Sequence, residues 1–466
     1  MHTDTQTAER VGTRVTPTLE AHPHELTDVA QPNLLRDVFP YDEVPKIPFD
    51  GTIEPLDPAP EFFITDTTFR DGQQARPPYS VEQVVALYRL LHRLGGPNGI
   101  IRQAEFFLYS DVDKEAVRRC LDLGYRWPEV TGWIRAVSSD FKLVKEMGLA
   151  ETGILTSCSD YHIFLKLKRT RREVMEDYLR VVRAALDAGV HVRCHLEDVT
   201  RADVFGFVVP FVQELTRLSE ESGISIKIRL CDTMGFGVSY PGAALPRSVP
   251  KLIGVMRKEC GVPPERLEWH GHNDFHKVLV NASTAWLYGC MYANGTLLGL
   301  GERTGNPPLE ALVMEYIGLK GTTGGMDTTV ISEIADYFEG AIGTPIPSNY
   351  PFVGRDFNVT RAGIHADGLL KNEEIYNSFD TNKILGRPPR VLVDKTSGTA
   401  GVAWWINSYF RLAEGSRIDK KADAVREITR WIDEAYADGR TTSISDEEML
   451  AQVGLHLPHL VAHPPR

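Results

Sequence analysis

From about residue 61 onward, short apolar runs alternate with longer amphipathic stretches. The apolar runs predict eight β-strands, and the spacing of apolar residues by three and four positions in stretches such as 80–95 and 171–189 predicts helices. Gly189 stands where a helix C-cap is expected. The predicted strands are residues 62–66, 101–107, 133–138, 152–157, 190–197, 224–232, 266–272 and 291–299.

Alternation of strand and helix over about 250 residues is the pattern of a parallel (β/α)₈ TIM barrel. The rival fold is a doubly wound open sheet, which normally carries a glycine-rich phosphate-binding turn after its first strand. The segment TDTTFRDGQQ, at the end of the first predicted strand, is not such a turn. We therefore predict an α/β fold with three parts. They are an N-terminal extended arm (1–60, about the first 40 residues loosely ordered), a TIM barrel (61–325) and a C-terminal, mainly helical linker and subdomain (326–466).

Composition and charge narrow the class of protein. With 42% hydrophobic and 24% charged residues, the chain of 466 residues has the composition of an ordinary globular protein. A net charge of −12 without a long basic run argues against a nucleic acid or a membrane surface as partner. Six scattered cysteines, no apolar leader and no stretch of about 18 apolar residues predict a reduced, cytoplasmic protein.

Polar residues cluster at the ends of several predicted strands, which is where TIM barrels place their chemistry. Asp71 follows the first strand, and the seventh strand runs into EWHGHNDFHK (268–277). His270 and His272 are two residues apart in that segment, so on a strand they point to the same face. One carboxylate and two imidazoles suit a borderline divalent ion with positions left open for substrate. The histidine pair alone would be a weak indication, because histidines on half-exposed strands often bind only water.

Three motifs in order resemble one family of barrel metalloenzymes. They are DTTFRDGQQ (66–74), HGHND (270–274) and GLGERTGN (299–306). The family includes isopropylmalate, homocitrate, citramalate and Re-type citrate synthases, together with hydroxymethylglutaryl-CoA lyase. CHLEDVTRAD and LCDTMGFG also match, and RAGIHADGLLKNEEIY (361–376) is similar to a linker that the synthases have and the lyases lack. The sequence departs from the family at Gln73, where glutamate is usual, and in VDKTSGTAG, which replaces a more basic segment.

The resemblance implies a divalent metal ion as cofactor. Its ligands would be Asp71, His270 and His272, and Asn306 would assist. Mn²⁺ or Co²⁺ is the preferred identity, with Mg²⁺ and Zn²⁺ as alternatives. Such an ion could act as a Lewis acid and as a template for the substrate.

The same resemblance implies four catalytic residues. Arg70, held in place by Glu197, would stabilise the alkoxide that forms during the reaction. His365 and Tyr376 of the linker would transfer protons. Two structural interpretations stay open: Glu197 as a buried carboxylate paired with Arg201, and Tyr376 as a packing residue.

Three residues are predicted to contact the substrate. Thr233 would meet its carboxylate, Gln74 lies in the loop of the first motif, and Arg76 would bind the distal acid group of a dianionic substrate. The alternatives are that Thr233 is a turn residue and Arg76 a solvated loop arginine.

The resemblance implies an acyltransferase that condenses acetyl-CoA with a 2-oxo acid and releases CoA. The loop DTTFRDGQQARPPYS and the segment AGIHADGLLKN are closest to the branch of Re-citrate synthase and 2-phosphinomethylmalate synthase. The acceptor would then be oxaloacetate or its phosphorus analogue, phosphinopyruvate or phosphonopyruvate. An excess of arginine over lysine slightly favours the phosphorus pathway. A homodimer is implied as well, because the family linker reaches the neighbouring subunit's barrel.

Other functions stay open at this point. A homocitrate or isopropylmalate synthase would use another 2-oxo acid. A carbon–carbon lyase like hydroxymethylglutaryl-CoA lyase would use the same metal ligands, but the synthase-type linker argues against it. A non-catalytic descendant would have lost part of the site, whereas here the implied set of residues is complete.

Overall fold

A computed structural model describes residues 22–462 of the chain. Its central feature is a closed barrel of eight parallel strands in chain order, in which β1 pairs with both β2 and β8. The predicted fold class, a TIM barrel, is therefore confirmed. The strands are β1 (Phe63–Asp66), β2 (Ile101–Phe107), β3 (Glu129–Ile134), β4 (Glu151–Ser157), β5 (His191–Glu197), β6 (Ile226–Asp232), β7 (Leu267–Gly271) and β8 (Tyr292–Gly295).

The third strand is the one whose predicted position is most in error. It begins at Glu129 rather than at residue 133, and it ends at Ile134. The apolar run continues past that point, but Val137 is exposed and belongs to the turn that follows. An apolar residue outside the strand was therefore mistaken for part of it.

The chain forms two compact units. The barrel unit comprises Ile101–Leu312 and the chain up to Val81, and the C-terminal unit comprises Glu82–Ile100 and the chain from Val313. The helices of the barrel unit are α2 (Asp111–Leu121), α3 (Phe141–Glu146), α4 (Arg171–Asp187), α5 (Val209–Ser222), α6 (Val249–Lys258) and α7 (Val278–Leu287), while α1 (Val81–Gly95) and α8 (Leu309–Lys320) lie at the unit boundaries. The predicted boundary between barrel and linker at residue 325 stays a prediction.

The helix α4 shows how local sequence sets the limits of these elements. Thr170 and Glu173 form a capping box that satisfies free backbone N–H groups at its start. After its end, Gly189 adopts a φ of 69°, the left-handed conformation that glycine tolerates best. The two ends of the predicted helix 171–189 are thus explained by the capping pair Thr170 and Glu173 and by Gly189.

The described part of the N-terminal arm packs along the barrel. Arg171 donates a hydrogen bond from Nη1 to the carbonyl of Thr27 (2.8 Å), and Phe39 is only 3% exposed. The expectation of a loosely ordered arm is therefore wrong for residues 22–40, because their main chain and apolar side chains find partners on the barrel. Residues 1–21 of the predicted arm lie outside the described residues.

The barrel interior contains charged side chains where many TIM barrels have aliphatic layers. Arg193 Nη2 lies 2.7 Å from Glu105 Oε1, and Arg229 bridges Glu105 (3.0 Å) and Glu268 (2.9 Å). All four side chains are essentially inaccessible to solvent. Buried charges of opposite sign therefore compensate one another inside the barrel.

The C-terminal unit has its own apolar core. Trp405 and Ile406 of its central helix pack with residues of the two helices that follow, including Ile428 and Met449. A short parallel pair of strands, β9 (Val359–Thr360) and β10 (Arg390–Val391), completes the unit. The remaining helices are α9 (Val330–Tyr337), α10 (Gly363–Lys371), α11 (Thr381–Leu385), α12 (Gly398–Tyr409), α13 (Asp423–Ala437), α14 (Asp446–His456) and α15 (Pro458–Val461). None of the helices between residues 22 and 462 combines the length and the apolar character needed to cross a membrane.

Candidate active site

Three predicted metal ligands converge at the C-terminal ends of β1 and β7. Nε2 of His272 lies 3.0 Å and Nε2 of His270 lies 3.3 Å from the same atom, Oδ2 of Asp71. All three side chains are buried. Donor atoms bound side by side to an ion at about 2.1 Å are themselves about 3 Å apart, so this spacing fits a common metal ion.

Both imidazoles are oriented through their other ring nitrogen. Nδ1 of His270 lies 2.7 Å from Oδ1 of Asn294, and Nδ1 of His272 lies 2.8 Å from the carbonyl oxygen of Thr233. Because the amide oxygen of Asn294 can only accept, Nδ1 of His270 carries the proton and its Nε2 presents a lone pair. Nδ1 of His272 also lies 3.0 Å from Nη2 of Arg303, which can only donate. The lone pair of His270 then faces the carboxylate of Asp71, an arrangement that a cation between them would stabilise.

Asn306 is the fourth polar side chain at the same place. Its amide nitrogen donates to Asp71 Oδ2 (3.0 Å) and to the carbonyl of Gly271 (3.1 Å). Its Oδ1 is buried and has no hydrogen-bond partner within residues 22–462. A buried acceptor without a partner is costly, and a metal ion would satisfy it. Asp71, His270 and His272 could therefore hold a divalent ion, and the assignment of Asn306 as a further ligand stays a prediction.

The charges around Asp71 and His270 favour the binding of a cation. Burial by itself would raise the pKa of Asp71, but the positive charge of Arg70 is the largest opposing effect, and the pKa is held well below its ordinary value. Burial lowers the pKa of His270. Burial acts in the same direction on His272, but its hydrogen bond to Asp71 and the charge of Asp71 outweigh it and raise the pKa of His272. An ionised carboxylate beside a neutral imidazole is the protonation state that metal binding requires.

Arg70 is held by a different carboxylate from the predicted one. Its Nε donates to Oε2 of Glu105 at 2.9 Å, and its Nη1 lies 3.6 Å from Asp71. The expectation that Glu197 holds Arg70 is therefore wrong. The reason is topological: Glu105 belongs to β2, which pairs directly with β1, whereas β5 lies across the barrel from β1.

Glu197 belongs to a second polar cluster at the ends of β4 and β5. It accepts hydrogen bonds from Ser157 Oγ and from Lys166 Nζ (3.0 Å), and it lies 3.0 Å from Nδ1 of His162. Burial acts to raise its pKa, but the bond and charge of His162 lower it to about 2. Arg201 pairs with Asp198 instead, so the predicted pairing of Glu197 with Arg201 is wrong as well.

Gln73 closes the loop after β1 at the position where the family resemblance led us to expect glutamate. Gln73 donates from Nε2 to the carbonyl of Phe69 (2.7 Å) and accepts from the backbone N–H of Tyr79 (3.0 Å). A glutamate could make only the second bond, since its carboxylate is an acceptor. Gln74, predicted to contact the substrate, is exposed on the turn Gly72–Ala75.

Arg76 ends this loop with part of its side chain unsatisfied. Its guanidinium lies 3.9 Å from the ring centre of Tyr79. Its Nε and Nη1 are buried and form no hydrogen bond within the described part of the chain. Thr233 differs in this respect, because its hydroxyl already accepts from the backbone N–H of Asp198 (2.8 Å).

The structure brings the two predicted proton-transfer residues together within the C-terminal unit. The ring centres of His365 and Tyr376 lie 4.4 Å apart, and Tyr376 is 46% exposed. His365 is exposed too. Both side chains are thus available to a substrate rather than buried in a core.

Two residues of the site escaped prediction from the sequence. Glu105, which holds Arg70, and Asn294, which orients His270, lie inside strands that read as apolar runs. The signal for Glu105 is its charge in the segment IRQAEFF, where Gln103 occupies the alternate position on the same face. No comparable signal singles out Asn294.

A glycine next to Asn306 gives a first testable prediction. A Cβ at Gly301 would lie 1.9 Å from Oδ1 of Asn306, so Gly301→Ala must displace that side chain. We expect kcat/KM to fall about 10–100-fold, as for other losses of supporting contacts at metal sites. The control is Gly318→Ala, where a Cβ meets nothing within 4 Å. Equal activity of the two variants in a CoA-release assay would contradict the role given to Asn306.

With this geometry described, comparison with known families becomes informative. Residues 61–337, more than half of the chain, match the family described as HMGL-like. The chain belongs to the HMGL-like family. The family resemblance inferred from the three motifs is thereby confirmed, and the enzymes of this family use a divalent metal ion.

Several named members of the HMGL-like family are similar along most of the chain. The citrate (Re)-synthase of Syntrophus aciditrophicus is 63% identical over 436 residues, covering 94% of this chain and 69% of that protein. The citrate (Re)-synthase of Clostridium kluyveri is 53% identical, covering 95% and 97%. The 2-phosphinomethylmalate synthase of Streptomyces hygroscopicus is 37% identical, covering 90% and 95%.

Solved structures support the fold. The hydroxymethylglutaryl-CoA lyase of Pseudomonas aeruginosa aligns with a TM-score of 0.50 and 20% identity, covering 62% of this chain and 95% of that one. At this identity the likeness concerns the barrel fold alone.

Proposed function

We propose that this HMGL-like protein is a Re-type citrate synthase, which condenses acetyl-CoA with oxaloacetate and releases citrate and CoA. The observation that carries the proposal is the 63% identity to a citrate (Re)-synthase over 94% of the chain. The similarity to the 2-phosphinomethylmalate synthase is much lower, at 37%, so oxaloacetate is preferred over a phosphorus analogue.

The metal centre accounts for activation of the 2-oxo acid. Asp71, His270 and His272, with Oδ1 of Asn306, would hold the ion. When bound, a divalent ion supplies Lewis-acid polarisation and a template for the carbonyl and carboxylate oxygens. The mixed oxygen and nitrogen donors favour Mn²⁺ or Co²⁺, with Mg²⁺ and Zn²⁺ as alternatives.

Arg70 would stabilise the charge that develops on the carbonyl oxygen. As acetyl-CoA loses a methyl proton, the resulting carbon attacks the carbonyl carbon of oxaloacetate, and that oxygen becomes an alkoxide. A guanidinium already fixed by Glu105 and Asp71 needs no reorganisation at that moment. Hydrolysis of the thioester by water then gives citrate and CoA.

Proton transfer is assigned to the exposed pair His365 and Tyr376. An imidazole titrates close to neutral pH, so His365 is the better acid or base of the two. The homodimer and the cytoplasmic location that the sequence suggested stay predictions.

A dianionic acceptor needs a second cationic contact besides the metal centre. Arg76 is the candidate for the distal carboxylate of oxaloacetate, because two of its nitrogens have no hydrogen-bond partner within residues 22–462. A guanidinium can bind a carboxylate through two parallel hydrogen bonds.

The test is release of CoA from acetyl-CoA by the purified protein. We expect release with oxaloacetate and Mn²⁺ or Co²⁺, formation of citrate, loss of activity with a chelator and recovery when the ion is restored. Phosphinopyruvate, phosphonopyruvate, 2-oxoglutarate, 2-oxoisovalerate and pyruvate are the control acceptors. If the protein prefers one of these acceptors, that acceptor and not oxaloacetate is the substrate. Cleavage of hydroxyacyl-CoA esters without any condensation would overturn the synthase assignment.

A further inference from the structure

The C-terminal unit contains a cavity of about 740 Å³. It lies between the chain that follows α11, the helix α12 and the loop over residues 411–417. Sites for ligands of cofactor size have volumes of about 300–1,000 Å³. His365 and Tyr376 do not line this cavity, so the proposed condensation leaves it without a role.

Three arginines, Arg390, Arg411 and Arg417, line the cavity and are exposed to solvent within it. Within residues 22–462, none of their side chains forms a hydrogen bond or an ion pair. Arg440 of the same unit shows the usual alternative, a pair of 2.6 Å hydrogen bonds to Glu448. Guanidinium groups without a carboxylate partner are free to bind the oxygens of phosphate groups.

The two carboxylates at the cavity do not neutralise these arginines. Asp446 is already engaged, because it accepts a hydrogen bond from Nε1 of Trp405 at 2.8 Å. Glu373 lines the cavity but lies beyond ion-pair distance of Arg390, Arg411 and Arg417. The three positive charges therefore exceed the two negative ones, and the cavity favours an anion.

Aromatic side chains form another part of the wall. The rings of Trp405 and Tyr409 are stacked, with centres 4.6 Å apart and planes at 17°, and Tyr409 is 37% exposed. Trp404 is only 7% exposed, and its indole N–H is buried without a hydrogen-bond partner in the described chain. A buried donor of this kind is destabilising unless a ligand accepts from it.

The loop that carries two of the arginines is held in a fixed shape. Asn407 of α12 donates to the carbonyl of Ile418 (3.0 Å) and accepts from its N–H (2.7 Å). Arg411 has a φ of 49°, which is uncommon for a residue other than glycine. The cavity is thus preformed, which lowers the entropy cost of binding a ligand.

We propose that this cavity binds a nucleotide with at least two phosphate groups. The arginines supply contacts for the phosphates, the exposed face of Tyr409 supplies a surface for the base, and Trp404 supplies a donor for a neutral acceptor. The volume is large enough for a nucleotide. The nucleotide is either free, as ADP or ATP, or the adenosine part of CoA.

The test is calorimetric titration of the full-length protein with ADP. We expect saturable binding with a Kd below about 1 mM, weakened about tenfold or more in Arg417→Ala and in Arg411→Asn. Asparagine is chosen at position 411 because it tolerates a positive φ. The control is Arg426→Ala, an exposed arginine of α13 paired with Asp423, which should bind ADP like the unchanged protein.

Two outcomes would overturn the site: no saturable binding of ADP or ATP, or binding that the two cavity variants leave unchanged. Tripolyphosphate and adenosine test the two halves of the ligand, and each should bind more weakly than ATP. Tripolyphosphate that binds as tightly as ATP would overturn the nucleotide assignment. Titration with CoA identifies the source. Arg417→Ala weakens CoA binding if the adenosine part of CoA is the occupant and leaves it unchanged if the occupant is a free nucleotide.

Discussion

We expect His270→Ala and His272→Ala to lose the bound divalent ion and at least about a thousandfold in kcat/KM while the barrel stays folded. Each substitution removes one of the three donor atoms that converge at Asp71. The remaining carboxylate and single imidazole cannot hold the ion in a defined geometry, and the polarisation of the 2-oxo acid is lost with it. The apolar core does not depend on either ring, so stability should change little.

Metal content per chain after dialysis, the rate of CoA release and the thermal melting curve together test this expectation. His191→Ala is the matched control, since His191 is exposed at the start of β5, at the opposite end of the barrel from the metal ligands. It should keep both the metal and the activity. A His272→Ala protein with full metal content and unchanged kcat/KM would refute the assignment of the metal centre.

The convergence of Asp71, His270 and His272 was predictable from sequence, while their role as metal ligands stays a prediction. His270 and His272 are two residues apart at the end of one strand, and a strand places such residues on one face. Asp71 follows β1, which β8 separates from β7, and the C-terminal ends of the strands of a parallel barrel meet at one rim. Period and topology together were enough to place all three side chains at one point.

The partner of Arg70 was not predictable in the same way. The strand order of a barrel places β2 with Glu105 beside β1, but the sequence alone does not say which residue of β2 lies level with Arg70. That choice depends on the pairing register, in which Asp66 is opposite Ala104 and so brings Glu105 next to the loop that carries Arg70. Long-range register of this kind leaves no pattern in a single sequence.

The N-terminal arm shows a different limit of prediction from sequence. Its prolines and charged residues are typical of loosely ordered chain, yet Phe39 is buried and the main chain of residues 22–60 bonds to the barrel at several points. Composition reports how much apolar surface a segment can bury by itself. It does not report the surface that a neighbouring barrel offers, so packing overrides the local expectation.

We expect Glu105→Gln to lower the free energy of unfolding of the barrel by about 3–5 kcal/mol, since it removes the charge that compensates several buried guanidinium groups. Glu105 contacts Arg70 (2.9 Å), Arg193 (2.7 Å) and Arg229 (3.0 Å), and all of them are buried. The variant should also lose kcat, because Arg70 is no longer fixed for charge stabilisation. Urea unfolding and the CoA-release assay measure the two effects.

The pH dependence of the difference in stability between the unchanged protein and Glu105→Gln provides an independent check. Burial acts to raise the pKa of Glu105, but the charges of Arg229 and Arg70 hold it well below its ordinary value of 4.5. A carboxylate whose pKa is lowered in the folded protein contributes its full stabilisation at pH values above its ordinary pKa. It loses that stabilisation as the pH falls toward its pKa in the folded protein. The difference in free energy of unfolding between the unchanged protein and Glu105→Gln should therefore stay at about 3–5 kcal/mol from pH 6 to 8. It should become smaller in acid.

Glu115→Gln is the matched control, because Glu115 is half exposed on α2 and lies 3.8 Å from Arg118. An exposed pair of this kind contributes at most about 1 kcal/mol, so the control should unfold like the unchanged protein. Equal stability of Glu105→Gln and Glu115→Gln would mean that the buried arginines do not need the carboxylate of Glu105. Loss of stability without loss of kcat would mean that Glu105 stabilises the barrel interior but that another group holds Arg70 in place. Glu197→Gln would then be the variant to compare.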